Sequence, residues 1–548
     1  MGDSRVSTSD RWKLRSVPDE LVRRYLAEGW WNDVTLGTTV ANGLSTLGDT
    51  EFHVHSDVRP WRGTFGDVDR AAKSLAGSLR ARGIGPGDVV VFQLPNWVEA
   101  GITFWAAAYL GAVVVPVVHF YGAKEVGYIL RATSPKVIVT ADRFAHSDYL
   151  SVYEPLLSES GKRDSPLWLV VGETARQDLP ASATPFESML AGDPIAAPAI
   201  VDPDAPAIVA FTSGTTRDPK GVIHSHRTIG FETRQLDYMF PKGGPPQITG
   251  APVGHFIGML NAFLIPLLRE RPVHLIDVWK PDKVLRLMRE EGLGVTGGAT
   301  YFMTSLLDHP DFTDEHLALM PFAGLGGSTV PVAVMERLKT LGIKAFRSYG
   351  STEHPSITGC LLDDAEEKRL RTDGDPLPGV ELRLEDGGEI LSRGPDCFVG
   401  YIDPELTAKV FDDDGWYRTG DVGVLDDEGY LSITDRVSDI IIRGGENISA
   451  QEVEELLMGM DAVAEVSVVA APDVRLGERA AAVIRLREGG NAPTLDEVRK
   501  HLGSVGLARQ KWPESLHRVD EFPRTPSGKV QKFVLRQQLR EGRLAPYA

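Results

Sequence analysis

The sequence predicts an α/β protein with a large N-terminal domain of several subdomains and a small, mobile α+β C-terminal domain. Over the first part of the chain, apolar runs alternate with helical periodicity, as in parallel sheets covered by helices on both faces. Residues 372–436 instead show period-two alternation and turn signals, which indicate a small antiparallel β unit. After that unit the pattern changes again, so we place residues 1–436 in the N-terminal domain and 437–548 in a C-terminal lid.

The first clear element is a helix from Phe65 to Arg82, where apolar and small residues recur on one face and Gly83 is placed to cap the end. The apolar runs and helical patterns that follow predict, in order, a strand Val89–Phe92, a buried helix Trp97–Leu110, a short strand 113–115, a helix near Ala123–Ala132, a strand Val137–Thr140 and a strand ending near Ala207–Ala210.

Two uncharged windows, residues 100–123 and 243–268, are long enough to cross a bilayer. The first contains Gly111 and Pro116, and its second half is β-branched. The second contains four prolines, which interrupt any single helix. We therefore expect both windows to be protein core and not transmembrane segments.

The C-terminal unit also has readable elements. Ser449 and Glu452 have the spacing of a capping box that opens a helix to about Met458. Strands at 463–470 and 480–486 and a helix beginning near Leu495 are expected to follow.

Composition excludes several classes of protein. Of 548 residues, 42% are hydrophobic and 24% charged, which is typical of globular chains and excludes wholesale disorder. The net charge of −18 arises entirely within residues 1–436 and argues against nucleic acid or anionic membrane as partners. From Arg499 onward, by contrast, 11 basic residues face 4 acidic ones. The local charge near that end therefore differs from that of the rest of the chain.

Cysteine usage indicates a reducing, cytoplasmic compartment. Only Cys360 and Cys397 occur, and the sequence has neither CxxC spacing nor a local Cys/His cluster. This pattern argues against a disulfide framework and against a structural zinc site. The first ten residues also lack the apolar region of a secretory signal.

The segment 211–221, FTSGTTRDPKG, carries the most specific chemistry. It follows an apolar strand, and its backbone N–H groups, its hydroxyls and Lys220 are suited to phosphate oxygens. It is not a Walker A loop, because the order GxxxxGK[ST] is absent. Taken alone, a loop of this composition is more often a polar surface turn than a phosphate site.

This segment resembles the phosphate-binding signature of the acyl-adenylate-forming, or AMP-binding, superfamily, and the chain is identified as similar to its acyl-CoA synthetase branch. Five further segments resemble the family's motifs, so that the resemblance covers nearly the whole chain: Gly326–Ser328, Tyr349–Glu353 (YGSTE), Tyr417–Asp421 (YRTGD), Asp435–Asp439 with Gly444–Asn447, and Arg524–Lys529.

The resemblance implies a two-step ligase that uses ATP, Mg²⁺ and CoA. A carboxylate would attack the α-phosphorus of ATP to give acyl-AMP and pyrophosphate, and the thiol of CoA would then take the acyl group and release AMP. Lys529, Glu353, Thr352 and Lys220 would be the catalytic residues, with Glu353 also binding the metal. The nucleotide would lie on Thr212, Ser213, Gly214, Thr215, Thr216, Gly326, Gly327, Ser328, Tyr349, Gly350, Asp421 and Arg436.

The same resemblance assigns the lid hinge to Ser438 and the CoA-binding or hinge loop to Gly444, Gly445 and Glu446. Ser438 departs from the Lys or Asp that the family typically has there, and Arg217 replaces a glycine. We expect the first departure to affect the balance or rate of lid rotation and not the fold.

The acyl pocket is implied to include His255, Phe256, Gly258, Gly297 and Gly298. No acidic residue occurs from 243 to 268, which disfavours an amino acid substrate. A medium- or long-chain fatty acid, or an alicyclic or steroid-derived acid, fits small and apolar walls. His255 has two interpretations, a gate for the carboxylate or a core histidine with satisfied nitrogens.

Three alternatives remain open from the sequence. The acyl acceptor could be a carrier-protein thiol instead of CoA. The protein could be a P-loop ATPase that releases ADP, although its loop lacks GK[ST]. It could also be a non-catalytic acyl or nucleotide binder, against which the presence of Lys529 and Glu353 counts. The sequence does not decide between a monomer and a homodimer.

Overall fold

Six parallel strands form the centre of an eight-stranded sheet in the computed structural model, which describes residues 11–158, 165–174, 176–212, 219–327, 330–436, 439–443, 446–524 and 529–548. Two antiparallel strands extend one edge. In spatial order the strands are Gly400–Tyr401, Lys220–Ser225, Pro206–Thr212, Val113–Pro116, Val89–Gln93, Val137–Ala141, Leu167–Val171 and Ala183–Pro185. The α/β class and the strands expected near 89, 113, 137 and 207 are confirmed.

The central strands are buried on both faces because helices cover them. Val89–Gln93 is buried at every position, and so is the helix Val98–Leu110 beside it. Thr64 and Asp67 form a capping box that starts the helix Phe65–Arg80. The helix was predicted from the sequence, but this box was not. The helices of the N-terminal region are Asp19–Ala27, Leu36–Thr46, Phe65–Arg80, Val98–Leu110, Ala123–Thr133, Tyr149–Ser158, His226–Met239, Phe256–Phe263, Ile265–Arg269, Pro281–Glu291, Thr300–Leu307, Asp314–Leu317, Val332–Thr340, Glu366–Arg371 and Pro404–Val410.

Two smaller sheets, which the sequence did not predict, complete the α/β part. A five-stranded sheet contains Gly297–Gly298, Phe322–Leu325, Lys344–Tyr349, Thr358–Gly359 and Asp375–Pro376. A four-stranded sheet contains Ile248–Thr249, Val273–Leu275, Glu51–Val54 and Trp61–Thr64. A two-stranded ribbon joins Arg143–Phe144 to Ser147–Asp148.

The antiparallel β unit expected within 372–436 has four strands, Glu381–Leu384, Glu389–Arg393, Tyr417–Leu425 and Leu431–Arg436. Its last two strands pair Asp421 directly with Arg436. The register of this hairpin therefore brings together two residues from different sequence motifs.

The C-terminal unit has its own sheet and its own hydrophobic core, which runs from Ile441 to Leu516. The strands are Ile441–Arg443, Glu446–Ile448, Val463–Asp473, Gly477–Leu486 and Ser515–Arg518, and the helices are Ala450–Leu457, Leu495–Ser504 and Lys532–Arg540. Ser449 caps the first helix by accepting from Glu452 N. The capping-box prediction was wrong in its second half, because the Glu452 carboxylate accepts from Lys511 at 2.6 Å.

The start of this first helix is bonded to the last strand of the β unit. Ser449 Oγ donates to the Thr434 carbonyl at 2.9 Å, and Ala450 N donates to Asp435 Oδ2 at 2.6 Å. Gln451 Nε2 donates to the Ile433 carbonyl at 3.0 Å. Three hydrogen bonds therefore join the segments on either side of residues 437–438.

The two uncharged windows lie in the N-terminal region, where the second is divided between a short strand and the helices Phe256–Phe263 and Ile265–Arg269. None of the helices in the described part of the chain combines the length and apolar character that crossing a bilayer requires.

Helix Phe65–Arg80 gives a test of the packing beside the central sheet. A Cβ added at Gly77 would lie 1.8 Å from the Asp193 carbonyl oxygen, whereas one added at Gly85 would meet no atom within 4 Å. Overpacking typically costs about 1–3 kcal/mol. We expect Gly77→Ala to lower the melting temperature by roughly 2–10 °C and Gly85→Ala to leave it nearly unchanged in thermal denaturation. Equal melting temperatures for the two variants would contradict this packing.

Candidate active site

A single large cleft of about 1740 Å³ brings most of the predicted site residues together. It is lined by loops and strand ends of the N-terminal sheets and by the start of the last C-terminal helix. The predicted residues on its walls are Thr212, Lys220, His255, Phe256, Gly297, Gly298, Gly326, Gly327, Tyr349, Gly350, Thr352, Glu353, Asp421, Arg436 and Lys529.

The other predicted residues divide into two groups. Ser213, Gly214, Thr215, Thr216, Ser328, Ser438, Gly444 and Gly445 lie outside the described residues, and Glu446 begins the strand Glu446–Ile448. Gly258 lies in the helix Phe256–Phe263 and is not on the cleft wall. A Cβ at Gly258 would lie 2.1 Å from the Pro252 carbonyl oxygen. The glycine there provides room for backbone and not for an acyl group.

The ends of the phosphate-loop segment are held together by strand pairing. Thr212 is the last residue of one strand and Lys220 the first of the next, and the two are direct antiparallel partners. Lys220 Nζ lies 5.6 Å from the centroid of the Tyr401 ring at the cleft wall. The strand pairing therefore fixes the position of the Lys220 ammonium group near Tyr401. Tyr401 in turn contacts Glu353.

Glu353 is held by partners that the sequence did not reveal. Tyr401 Oη donates to Glu353 Oε1 at 2.9 Å, and Phe398 N donates to the Glu353 carbonyl at 2.8 Å. His224 Nε2 lies 2.7 Å from the Thr352 carbonyl, which anchors the adjoining residue. Burial and the nearby Glu353 carboxylate raise the pKa of Tyr401, so its hydroxyl remains a proton donor.

The turn that carries Thr352 and Glu353 requires a glycine at its start. A Cβ at Gly350 would lie 1.7 Å from the Pro355 carbonyl oxygen. Ser351 N donates to the His354 carbonyl at 2.9 Å and closes the turn. The YGSTE segment therefore doubles back on itself directly after the strand Lys344–Tyr349.

Asp421 joins Tyr349 and Arg436 at one edge of the cleft. Tyr349 Oη donates to Asp421 Oδ2 at 2.6 Å, and Arg436 Nε lies 2.8 Å from Asp421 Oδ1. Burial raises the pKa of Tyr349, and Asp421 acts in the same direction; the same carboxylate raises the pKa of Arg436. Each carboxylate oxygen has a second lone pair, so Asp421 can also accept from ligand hydroxyls.

Lys529 reaches the cleft from the C-terminal unit. Its side chain keeps contact with water, yet protein atoms surround it closely enough that desolvation lowers its pKa to about 8. Arg436 acts in the same direction, and Asp421 and Glu353 oppose it. The ammonium group is therefore near both carboxylates and near the arginine, at the point where the two units of the chain meet.

His255 also lines the cleft, close enough to Lys529 to be affected by its charge. Burial lowers the pKa of His255 to about 4, and the positive charge of Lys529 contributes, so the imidazole is neutral at pH 7. Its Nε2 is buried and has no hydrogen-bond partner among the described residues. Of the two interpretations, the core histidine with satisfied nitrogens therefore does not fit, because one ring nitrogen of this cleft-wall residue is buried without a partner in the described part of the chain.

The wall beyond His255 is largely apolar. Phe256, Ile257, Trp279, Phe302 and Val334 contribute to it, and Trp279 and Phe302 pack at 4.7 Å between ring centroids. Gly297 and Gly298 also line the cleft, and Gly298, which lies beside Phe302, has a φ of +118° that favours glycine. Trp279 and Tyr401 belong to none of the sequence motifs, so only the fold identifies them as wall residues.

Comparisons with known proteins agree with this geometry. Residues 49–402 match the family described as AMP-binding enzyme, and residues 452–529 match the AMP-binding enzyme C-terminal domain. A medium-chain fatty-acid–CoA ligase of Escherichia coli (strain K12) is 32% identical over 94% of this chain and 92% of its own length. The (7a-methyl-1,5-dioxo-octahydro-1H-inden-4-yl)propanoyl:CoA ligase of Rhodococcus jostii (strain RHA1) is 36% identical over 87% and 93%.

Solved structures show the same architecture. ATP-bound MatB from Rhodopseudomonas palustris superposes with a TM-score of 0.82 at 27% identity, covering 92% of this chain and 99% of that one. A fatty acyl CoA synthetase from Mycobacterium tuberculosis superposes with a TM-score of 0.69 at 26% identity, covering 93% and 100%. The chain therefore belongs to the AMP-binding enzyme family. Within that family it is an AMP-forming acid–CoA ligase, as its resemblance to acyl-CoA synthetases implied.

The hydrogen bond from Tyr401 to Glu353 can be tested without disturbing the ring that faces Lys220. Tyr401→Phe removes only the hydroxyl, and a hydrogen bond to a charged group contributes about 1.5–3 kcal/mol. We expect kcat/KM for acid-dependent pyrophosphate release to fall by roughly 10- to 100-fold, with partial recovery at high Mg²⁺. Tyr238→Phe, at a side chain 54% exposed, is the matched control and should change little. A Tyr401→Phe enzyme equal to wild type at limiting Mg²⁺ would contradict the positioning role.

Proposed function

We propose that this enzyme activates an apolar carboxylic acid with ATP and transfers it to CoA, through the residues that meet in the cleft. The observation that carries the proposal is the convergence of Lys529 with Glu353, Asp421 and Arg436, although Lys529 belongs to the C-terminal unit. Two anions must approach each other in the first step, so a cation at their meeting point stabilises the transition state. Lys529 would supply that cation between the acid and the α-phosphate.

The remaining residues would hold the nucleotide. Lys220 and the 212–220 segment would bind the β- and γ-phosphates, and Thr352 the α-phosphate. Asp421 would accept hydrogen bonds from the ribose hydroxyls. Arg436 at Oδ1 and Tyr349 at Oδ2 would keep the Asp421 carboxylate oriented. Tyr349 and Gly350, together with Gly326 and Gly327, would lie against the adenine.

Magnesium fits the carboxylate of Glu353. This side chain is 9% exposed at the cleft wall and has its orientation set by Tyr401. A carboxylate oxygen is a ligand type that Mg²⁺ prefers, and the ion, when bound together with ATP, neutralises phosphate charge. The chain's own contribution is to orient that oxygen before the ligands arrive.

The acid is proposed to be a medium- or long-chain fatty acid, or an alicyclic or steroid-derived one. The aromatic and aliphatic wall around Trp279 and Phe302 and the absence of acidic residues between 243 and 268 support this class. Of the two relatives described above, one is named for a medium-chain fatty acid and the other for a fused-ring propanoyl group. Both kinds of acid belong to the proposed substrate class. Neutral His255 would face the carboxylate end of the substrate.

The second step requires the C-terminal unit to turn about a hinge that we propose at Ser438, so that the basic end of the chain meets CoA. In the present arrangement Arg536 is paired with Asp439 at 2.8 Å and lies on the cleft wall. This arginine is therefore not a freely solvated surface residue.

Lys529 gives the central test of this mechanism. Losing one preorganised cation should reduce adenylation by about 10²–10³-fold in Lys529→Ala. Thioester formation from supplied acyl-AMP should be largely spared. Because the pKa of Lys529 is about 8, the cation is lost as the pH rises through that value, so kcat/KM for ATP should fall above about pH 8. Lys529→Arg, always charged, should have lower activity but no such alkaline fall.

Pyrophosphate exchange and thioester formation, measured separately across pH, check these expectations. Equal damage to both half-reactions in Lys529→Ala would mean that the residue is structural. A wild-type profile that stays level to pH 9.5 would mean that a different group supplies the charge.

A screen of acids and acceptors tests the substrate class. Pyrophosphate release should be highest with fatty acids of medium or long chain or with fused-ring acids, and negligible with α-amino acids. With the best acid, AMP and an acyl-CoA should form from ATP and free CoA without any carrier protein. Formation of acyl-AMP without a CoA thioester would favour the carrier-protein alternative, and release of ADP would favour an ATPase.

A further inference from the structure

Three histidines and one glutamate form a cluster away from the cleft. His53, His55 and His274 are buried, and Glu291 is partly buried beside them. One ligand atom from each of the four residues lies within 4.8 Å of the others. None of the four is on the wall of the cleft.

The strand register explains why these residues meet. His53 in Glu51–Val54 is the direct partner of His274 in the parallel strand Val273–Leu275, so both side chains point to the same face of the sheet. His55 follows two residues after His53 and returns to that face. Glu291 is the last residue of the helix Pro281–Glu291, so the C-terminal end of this helix lies beside the three histidines.

The distances are close to those of a tetrahedral metal site. His55 Nε2 and His274 Nδ1 are 3.1 Å apart, and two nitrogens bound tetrahedrally to Zn²⁺ at about 2.0–2.1 Å stand about 3.3 Å apart. Glu291 Oε2 lies 3.9 Å from His55 Nε2, and all four ligand atoms lie within 4.8 Å of one another, so they would move closer together around a bound metal. The Nδ1 of His53 is buried without a hydrogen-bond partner in the described part of the chain.

Two neighbouring cations bond to the cluster or to the segment that carries it. Arg62, opposite His53 on the strand Trp61–Thr64, donates to Glu291 Oε1 at 2.5 Å and leaves Oε2 on the side of His55. Lys283 Nζ donates to the backbone carbonyl of His55 at 2.9 Å and to Asp57 Oδ1 at 2.7 Å. Such outer contacts are typical of metal-binding carboxylates and of the segments that carry metal-binding histidines.

We propose that His53, His55, His274 and Glu291 bind one Zn²⁺ or a similar divalent transition metal as a structural site. Four protein ligands fill a tetrahedral coordination shell, and a shell without an open position is structural and not catalytic. Val273, next to His274, lines the cleft, so the metal would lie on the opposite face of the same strand. It would tie the strand Glu51–Val54, in the large core, to a helix whose apolar face belongs to a second core.

The absence of local Cys/His spacing had argued against such a site. That argument considered neighbours along the chain, whereas His55 and His274 are 219 positions apart. Within the cluster, only His53 and His55 are neighbours in the sequence, as an H-x-H pair that alternation places on one face of a strand.

Cobalt binding by the full chain tests the proposal. Enzyme without a polyhistidine tag is stripped with a chelator and titrated with Co²⁺ in the absence of nucleotide and Mg²⁺. We expect one equivalent to give the intense visible absorption of tetrahedral Co²⁺, and Zn²⁺ to displace it and raise the melting temperature. His274→Gln should weaken binding by at least about 100-fold, because loss even of an outer contact costs 10- to 100-fold.

Two further variants keep the test decisive. His146→Gln, at an exposed histidine outside the cluster, should bind Co²⁺ as wild type does. Glu291→Gln, at a partly exposed position, carries the test if His274→Gln does not fold, and it should also weaken Co²⁺ binding relative to wild type. No tetrahedral spectrum in wild type, or equal affinity in wild type and the folded cluster variant, would show a hydrogen-bonded histidine cluster and overturn the proposal.

Discussion

The ion pair between Asp421 and Arg436 is the contact on which the geometry of the cleft depends. It joins the last two strands of the antiparallel unit, and Tyr349 binds the same carboxylate from the five-stranded sheet. The chain passes from Arg436 into the C-terminal unit that carries Lys529. The position of Arg436 is therefore linked to that of Asp421, proposed for the ribose, and through Asp421 to that of Tyr349, proposed for the adenine. It also sets the point from which the chain enters the unit that carries Lys529. Removing Arg436 would leave the buried carboxylate of Asp421 without its ion-pair partner.

The electrostatics of the cleft follow from this arrangement. An overall charge of −18 does not describe the environment of the reaction, because Lys220, Arg436 and Lys529 line the same cavity. With its pKa at about 8, Lys529 still carries most of its positive charge at pH 7, and an approaching anion would stabilise that charge further. Neutral His255 adds a polar atom without adding a further positive charge.

The sequence predicted the parts of the fold that have strong periodicity. The helix Val98–Leu110 and the strands near 89, 113 and 137 are long or wholly apolar, so their pattern survives in a single sequence. The strands of two to four residues in the smaller sheets are too short to show a period, and they were missed. Most of the site residues predicted from the motifs lie in one cleft. Tyr401 and the histidine cluster could not be predicted from motifs, because their positions depend on strand pairing between distant segments. Gly258 shows a different limit, because a glycine in a sequence does not reveal whether ligand or backbone occupies the space beside it.

The three hydrogen bonds from residues 449–451 to the last strand of the β unit have a thermodynamic consequence for turnover. If the C-terminal unit turns about Ser438, all three must break, and at about 1 kcal/mol each they favour the present arrangement by roughly 100-fold. The enzyme would then rest in the state that places Lys529 in the cleft, ready for ATP and acid. Product of the first step, or CoA itself, must bind the alternative state more tightly by a comparable factor for the second step to proceed. The three hydrogen bonds would therefore favour completion of the first half-reaction before the C-terminal unit turns for the second.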